Sequence, residues 1–291
     1  MECSMKFNTP LRYPKGRSNI PSFFKIIFAH NDLLDGHYVE PYAGSAGIAL
    51  NLLTHGYVSR VHLNAANPAV YAFWHSVINQ PEALCKAIHD IKITTEEWQR
   101  QQDILRSPEN HSALEVGFSI FFLNRINRLA ILYGDVTDGK SQGKRWKFDA
   151  RFNKLDLIRG IEWIALHRSF IHLYNQDATG LIKTVLPSLP DKTLVYFDIP
   201  CHTEERGLHH DHDSHHDRVS LAKLIKENIL QHWIVSYPNH PGIMELYKGY
   251  PAIIYDTSSN ARNRPEDSEV MIFSNRLIIP DWKNPSNLKT A

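Results

Sequence analysis

The stretch that decides the fold is residues 37–56, which read HYVEPYAGSAGIALNLLTHG. Residues 37–44 are predicted as a strand that runs into a glycine turn, and a helical pattern follows that ends at Gly56. Glycines in such a turn let a ligand approach the backbone closely, and the first turn of the helix offers unpaired N–H groups. Turns of this kind also serve plain strand–helix packing, so the stretch alone leaves both interpretations open.

Further along the chain, short apolar strands alternate with longer helical patterns, which is typical of a parallel sheet covered by helices on both faces. We therefore predict an α/β fold. The other predicted strands lie in VSRVHLNAANP (58–68), SFIHLYNQDA (169–178), TLVYFDIPC (193–201), HWIVSYPN (232–239), AIIYDT (252–257) and EVMIFSN (269–275).

The segment 80–165 differs from its surroundings because it carries almost no strand signal and reads as helices. Within it, TTEEWQRQQDIL opens with a capping-box pattern in which Thr94 or Thr95 precedes Glu97. A helical stretch of this length inside an α/β pattern is most simply an insertion. We predict a helical subdomain over 80–165, inserted into one domain that comprises 1–79 and 166–291.

Composition excludes several classes of protein. The 291 residues include 32 Lys and Arg against 31 Asp and Glu, so net charge neither demands nor excludes a nucleic-acid partner. The three cysteines lie far apart without a CxxC pair, which argues against a disulfide framework. No apolar run approaches the roughly 20 residues that span a bilayer, and the amino terminus lacks the apolar core of a signal peptide. We expect a soluble cytoplasmic protein.

Six motifs occur in a fixed order: LRYPKG, VEPYAGSAG, HLNAANPAVYAFWHSV, FFLNRINR with GKSQGKRWKFDARFN, YNQDA and YFDIPC. Together, from about residue 10 to 275, they resemble the Dam-type (class alpha) DNA adenine-N6 methyltransferases. The resemblance implies a Rossmann-like, S-adenosylmethionine-dependent methyltransferase sheet. It also implies that 80–165 is an inserted DNA-recognition subdomain and that double-stranded DNA is the substrate.

The resemblance implies S-adenosylmethionine as the cofactor, with Glu40 near its methionine end. Asp177 would accept a hydrogen bond from the cofactor adenine amine, although a carboxylate there also suits the backbone of a loop end. The family acid that binds the ribose hydroxyls is replaced by Ala65, with Asn64 or Asn67 as a partial substitute. The implied cofactor residues are Tyr13, Arg17, Glu40, Pro41, Tyr42, Ala43, Gly44, Ser45, Gly47, Asn64, Ala65 and Asp177.

The catalytic tetrad of the family is Asp-Pro-Pro-Tyr, and this chain has Asp198, Ile199, Pro200 and Cys201 in its place. In the family, the acid and the next backbone carbonyl accept the two hydrogens of the adenine amine, and the aromatic ring stacks on the flipped base. Asp198 and the Ile199 carbonyl keep these two acceptors. Cys201 has no ring, and the loss of one stacking contact costs about 1–3 kcal/mol.

The departures at Ala65, Ile199 and Cys201 leave two functions open. The first is a site-specific DNA adenine-N6 methyltransferase with an unusual, weakened active site, in which Tyr196 or Tyr237 replaces the missing ring. The second is an inactive pseudo-methyltransferase that binds DNA or a protein partner, for example in restriction–modification or phage defence. Methylation of RNA or of another amine is a third, more distant option.

Cations concentrate in one part of the predicted insert, which favours a phosphate-binding face over an ordinary solvated surface, although both remain open. They are Arg125, Arg128, Lys140, Lys144, Arg145, Lys147 and Arg151. The segment GLHHDHDSHHDR (207–218) contains residue types that bind zinc, but it reads as a polar loop rather than as spaced ligands on fixed elements. We therefore predict no metal site.

Overall fold

The computed structural model describes residues 9–12, 20–127, 152–199, 215–256 and 268–280. These residues belong to two compact units. The sheet unit comprises the described residues of 20–66, 170–199, 215–256 and 268–280. The helical unit comprises the described residues of 9–12, 67–127 and 152–169.

Within the described residues, the strands form a single seven-stranded sheet in the order β3-β2-β1-β4-β5-β7-β6. They are β1 (Gly36–Glu40), β2 (Val58–Asn64), β3 (Ile171–Tyr174), β4 (Thr193–Asp198), β5 (His232–Pro238), β6 (Ala252–Asp256) and β7 (Ser268–Phe273). The strands β1 to β5 pair in parallel, and β7 pairs antiparallel with both β5 and β6. The α/β fold with a Rossmann-like sheet is confirmed.

The helices of the described residues are α1 (Ile20–His30), α2 (Gly47–Thr54), α3 (Pro68–Asn79), α4 (Pro81–Asp90), α5 (Thr95–Arg106), α6 (Ala113–Ile126), α7 (Lys154–Leu166), α8 (Ala178–Thr184), α9 (His215–Asn228) and α10 (Pro241–Leu246). Two predicted helix boundaries are confirmed. The Thr94 hydroxyl accepts from the Glu97 N–H at 3.2 Å, and Gly56 follows α2 with φ of 69°. None of these helices has the length and apolarity that a bilayer span needs.

The sheet buries both of its faces because side chains alternate along each strand. On one face, Phe24 of α1 packs edge-on against Tyr38 and Tyr196, with ring centroids 5.8 and 4.7 Å apart. On the other face, Val195 and Phe197 belong to a core that includes residues of α8 and α9. Strand β1 ends at Glu40, where the predicted glycine turn begins, and Pro41 has no N–H to continue the ladder.

The helical unit is built around aromatic packing between α3 and α6. The Phe73 and Phe121 rings stack with centroids 5.5 Å apart, and Phe152 packs on Phe121. The two helices approach closely at Gly117, where a Cβ atom would come within 2.7 Å of the Ala72 backbone. All described residues of the predicted insert, 80–165, lie in this unit. Helix α3, which precedes the predicted insert, lies there as well.

Candidate active site

The carboxyl ends of β1 and β4 form the topological switch point of the sheet. From β1 the chain proceeds outward to β2 and β3, and it then returns to β4 on the other side of β1. Ligands of open α/β sheets bind outside the carboxyl ends of the strands at such a point. The last residues of the two strands are Glu40 and Asp198. Both side chains project from the same face of the sheet, as the register shows.

The Glu40 carboxyl is buried, with 7% of the residue exposed, and its Oε1 accepts from the Ala49 N–H in the first turn of α2 at 3.1 Å. Burial raises the pKa of Glu40 to about 8; the Ala49 hydrogen bond opposes this rise, and the charge of Asp198 adds to it. Glu40 is therefore largely protonated near neutral pH. A cation placed beside it would favour the ionised form.

The glycine turn that follows β1 is fastened to β2 and carries backbone strain. The Ala43 N–H donates to the Asn64 carbonyl at 2.8 Å. Ala46, which precedes α2, has φ of 50° and ψ of 29°, a left-handed conformation that costs a residue with a Cβ atom about 1–2 kcal/mol. Strained backbone of this kind concentrates at ligand-binding sites.

Asn64 joins the tips of three strands. Its Nδ2 donates to the carbonyls of Pro41 and Gln176, both at 2.9 Å, and its Oδ1 accepts from the Gln176 N–H at 3.0 Å. The residue is fully buried. Both amide hydrogens are thus used within the protein, and neither is left to donate to a ribose hydroxyl.

Ala65 and Asp177 lie on neighbouring segments of the same edge. Ala65 is 3% exposed, and its carbonyl accepts from the Asn175 Nδ2 at 2.6 Å. Asp177 is exposed and caps α8, because its Oδ1 accepts from the Gly180 N–H at 2.5 Å. This hydrogen bond is the backbone role that the sequence left open for Asp177, and it uses one of two carboxylate oxygens. A cofactor contact through Asp177 stays a prediction.

The tip of β4 carries the two acceptors that the sequence singled out. Asp198 is half-buried and lies opposite Ser236 of β5. The next residue, Ile199, donates its N–H to the Ser236 carbonyl at 3.2 Å. A proline at 199 could not make this bond, so the isoleucine extends the β4–β5 ladder by one hydrogen bond. Pro200 and Cys201 lie outside the described residues.

The two rings that the sequence offered as substitutes for the missing tyrosine lie in the core. Tyr196 is 1% exposed and packs against Phe24. Tyr237 is 3% exposed and packs against Tyr247, with ring centroids 6.1 Å apart. Neither ring therefore has an open face on which a flipped base could stack.

A buried series of side-chain hydrogen bonds next to Asp198 was not predicted from the sequence. The Ser236 and Tyr255 hydroxyls lie 3.0 Å apart, and the Tyr255 hydroxyl donates to Glu269 Oε2 at 2.6 Å. All three residues are buried. They come from β5, β6 and β7, so no short motif contains them; the one local signal is an acid at the start of the apolar strand EVMIF.

The predicted DNA contacts fall mostly outside the described residues, which exclude Arg128, Lys140, Lys144, Arg145, Lys147 and Arg151. Arg125 is described, and its guanidinium donates to the carbonyls of Pro10 at 2.5 Å and Thr9 at 2.7 Å. Burial, with a smaller effect from Arg12, lowers the pKa of Arg125 to about 10. Arg125 thus fastens residues 9–10 to α6, and its contact with DNA stays a prediction.

Tyr13 and Arg17 lie outside the described residues, as does most of the histidine-rich segment 207–218. In the part of the chain that the structure describes, no group of three or more His, Cys, Asp or Glu side chains could hold a metal ion.

The model of the D12 class N6 adenine-specific DNA methyltransferase family matches residues 16–260. Two structures of the rRNA methyltransferase aviRa from Streptomyces viridochromogenes are similar to the chain at 12% and 11% identity, with TM-scores of 0.40 and 0.41. Each similarity covers 91% of this chain and 90% of that chain. No curated protein matches.

Proposed function

Because the chain belongs to the D12 class N6 adenine-specific DNA methyltransferase family, we propose that it transfers a methyl group from S-adenosylmethionine to the N6 amine of adenine in double-stranded DNA, as Dam-type enzymes do. One observation carries the proposal. Strand β4 ends at the switch point with a half-buried carboxylate, Asp198, followed directly by the Ile199 carbonyl. A carboxylate and a carbonyl in succession match the two hydrogens of an amine.

The site fits a cationic cofactor at Glu40. S-adenosylmethionine supplies a methyl group on a positively charged sulfur and also carries an ammonium group. Glu40 is a buried carboxyl whose pKa is raised to about 8, mainly by burial, and a cation bound beside it would favour the ionised form. The turn over 40–47, together with Asn64, Ala65 and Asp177, would surround the remaining parts of the cofactor, with Tyr13 and Arg17 predicted from the sequence.

The residues of β4 would orient the amine for the reaction. The Asp198 carboxylate accepts one N6 hydrogen and the Ile199 carbonyl accepts the other, so the nitrogen lone pair points away from both and toward the methyl group. S-adenosylmethionine held at Glu40 and the turn over 40–47 would supply the methyl group, and its sulfur would keep the electron pair of the bond that is given up. Asp198, which already accepts one of the N6 hydrogens, would receive the proton that N6 gives up.

DNA recognition belongs, in this proposal, to the predicted subdomain 80–165. Its support is the cluster of cations between Arg125 and Arg151, since phosphate contacts supply most of the affinity of a DNA-binding protein. The methyltransferase domain would then comprise 1–79 and 166–291.

A second function, binding without turnover, is favoured by three features of this chain. Ala65 presents a buried methyl group where the family has an acid, and both Asn64 amide hydrogens are used internally. Tyr196 and Tyr237 are buried in the core. An unpaired ribose hydroxyl costs about 1–3 kcal/mol, so cofactor affinity would be weaker than in a protein that keeps the acid.

Two measurements on the full chain decide between these functions. Calorimetry gives the affinity for S-adenosylmethionine, and a tritiated-methyl assay on adenine-containing duplex DNA gives transfer. Methyl transfer to adenine supports the enzyme, with a duplex in which every adenine carries an N6 methyl group as the matched control. Cofactor or DNA binding with no transfer rejects the enzyme and leaves the pseudo-methyltransferase.

A further inference from the structure

The hydrogen-bond ladder between β4 and β5 ends unevenly. In a parallel pair of strands, a residue that bonds to the neighbouring strand does so through both its N–H and its carbonyl. These two groups bond to the residues just before and just after the one that lies opposite. Asp198 lies opposite Ser236, so the next residue, Ile199, lies opposite Tyr237. The residues before and after Tyr237 are Ser236 and Pro238. The Ile199 N–H donates to the Ser236 carbonyl at 3.2 Å. The donor expected for the Ile199 carbonyl is therefore residue 238.

Residue 238 is a proline and has no N–H, so this second bond cannot form. Within the described residues, no other main-chain N–H donates to the Ile199 carbonyl. Among the described residues, the identity of one residue on the neighbouring strand thus leaves the carbonyl at the end of this strand pair without a main-chain donor. That carbonyl is the second acceptor of the proposed reaction.

We propose that Pro238 is a positioning residue, which reserves the Ile199 carbonyl for the amine of the substrate by withholding a competing donor. This inference rests on the proposed function for its consequence in catalysis. Its structural part, that a main-chain donor at 238 would bond to the Ile199 carbonyl and that proline supplies none, stands on the register of β4 and β5 alone.

The tip of β5 is held in place, so a donor restored at 238 would lie within reach of the carbonyl. On one side of Pro238, the Ser236 hydroxyl joins the buried chain through Tyr255 to Glu269. On the other side, the Asn239 N–H donates to the Ser268 carbonyl at 3.0 Å, and the Asn239 amide donates to the Ser268 hydroxyl at 3.1 Å. Ser236 and Asn239, which lie on either side of the Tyr237–Pro238 pair, are therefore fixed to strands β6 and β7.

The test compares two replacements of Pro238 in the full chain. Pro238→Ala restores an N–H. The matched control places lactic acid at 238, which has the shape of alanine but an ester oxygen instead of the N–H. Isotope-edited infrared spectroscopy with a ¹³C=¹⁸O label on Ile199 reports whether that carbonyl accepts a hydrogen bond.

In the ligand-free protein, we expect the Ile199 stretch at lower frequency in Pro238→Ala than in the wild type or the ester variant. We expect kcat for methyl transfer to fall about tenfold in Pro238→Ala and to recover in the ester variant, with KM for S-adenosylmethionine unchanged. Equal frequencies in the alanine and ester variants would overturn the inference, as would equal losses of kcat in both.

The result is separable from that of the proposed function. If the wild type transfers no methyl group, the infrared comparison still decides whether Pro238 keeps the carbonyl unpaired. If transfer is normal but the frequencies do not differ, the positioning role fails while the methyltransferase stands. A thermal melt of each variant checks that it is folded before either readout is interpreted.

Discussion

The two halves of the carboxyl edge of the sheet differ in how they use their polar groups. At the tips of β1, β2 and β3, polar groups form hydrogen bonds with one another. Asn64 alone links Pro41 and Gln176 through three hydrogen bonds. At the tips of β4 and β5, the ladder makes one bond from Ile199 and stops at Pro238. The first half is a closed frame, and the second keeps an acceptor in reserve.

The difference shows that hydrogen-bond satisfaction separates framework from reactive surface within one sheet edge. A buried polar group is almost always paired, so a group that the strand geometry leaves unpaired at a switch point is a candidate for ligand contact. Glu40 lies between the two halves: it is paired with Ala49 yet remains largely protonated. Four substitutions test this division.

The largest effect is expected for Asp198→Asn, which removes the charged acceptor of the second half. The amide has nearly the same shape but replaces one acceptor oxygen by a donor, so transfer to adenine should fall about 10²–10³-fold. Affinity for S-adenosylmethionine should change far less. The tritiated-methyl assay measures the first quantity and calorimetry the second.

Asp191→Asn, at an exposed position before β4, is the matched control and should leave transfer unchanged. Retention of full transfer by Asp198→Asn would remove Asp198 from the reaction.

The next effect is on the frame. Asn64→Leu keeps the approximate side-chain volume but removes the hydrogen-bond partner of the Pro41 carbonyl and of the backbone carbonyl and N–H of Gln176. We therefore expect the free energy of unfolding to fall by about 3 kcal/mol. Urea denaturation measures it. Asn228→Leu, at the exposed end of α9, should change stability by less than about 0.5 kcal/mol. Similar values for the two variants would mean that Asn64 does not hold the frame together.

Glu40 predicts a dependence of stability on pH. Its pKa is about 8 in the folded protein against an ordinary value of 4.5, so between these values the folded state holds a proton that the unfolded state has lost. Stability that is fully present below pH 4.5 therefore falls as the pH rises toward 8, by about 1.4 kcal/mol per pH unit.

Glu40→Gln should remove this slope. Urea midpoints measured at pH 5, 6, 7 and 8 compare the two proteins, and parallel curves would show that Glu40 is already ionised in the folded state.

The smallest effect concerns the extra ladder bond of Ile199. Ile199→Pro restores the family residue but removes the N–H that Ser236 accepts, so it should cost about 1 kcal/mol more than Ile199→Val, which shortens the side chain and keeps the N–H. Chemical denaturation of both variants gives the difference. If the proline variant is as stable as the valine variant, the bond at 3.2 Å contributes nothing to the β4–β5 tip.

Much of the fold could be predicted from the sequence because its signals lie in residues that are close together in the chain. Alternation of strands and helices predicted the α/β sheet, and the turn after Glu40 and the helix end at Gly56 followed from glycines within a few residues. The Thr94 cap was visible for the same reason. The end of β1 at Glu40 agrees with the predicted start of the turn, because Pro41 has no N–H to continue the ladder.

The candidate site was less predictable because its properties arise across strands. Asp198 and Ile199 could be singled out in the sequence, but the burial of Tyr196 and Tyr237, which removes them as substitutes for the missing ring, depends on packing against Phe24 and Tyr247. The alternative role of Asp177 as a cap on α8 was open in the sequence, and the structure shows that hydrogen bond.

The amino-acid sequence by itself determined the order of the elements, the glycine turn and the carboxylate at the end of β4, because these depend on residues adjacent in the chain. Three properties depend on tertiary structure. The Asn64 amide donates to Pro41 and Gln176, and burial raises the pKa of Glu40 to about 8. Pro238 occupies the position from which the ladder would supply a donor to the Ile199 carbonyl. The physical reason is the register between strands, which brings distant residues to hydrogen-bonding distance and is not encoded in any short stretch.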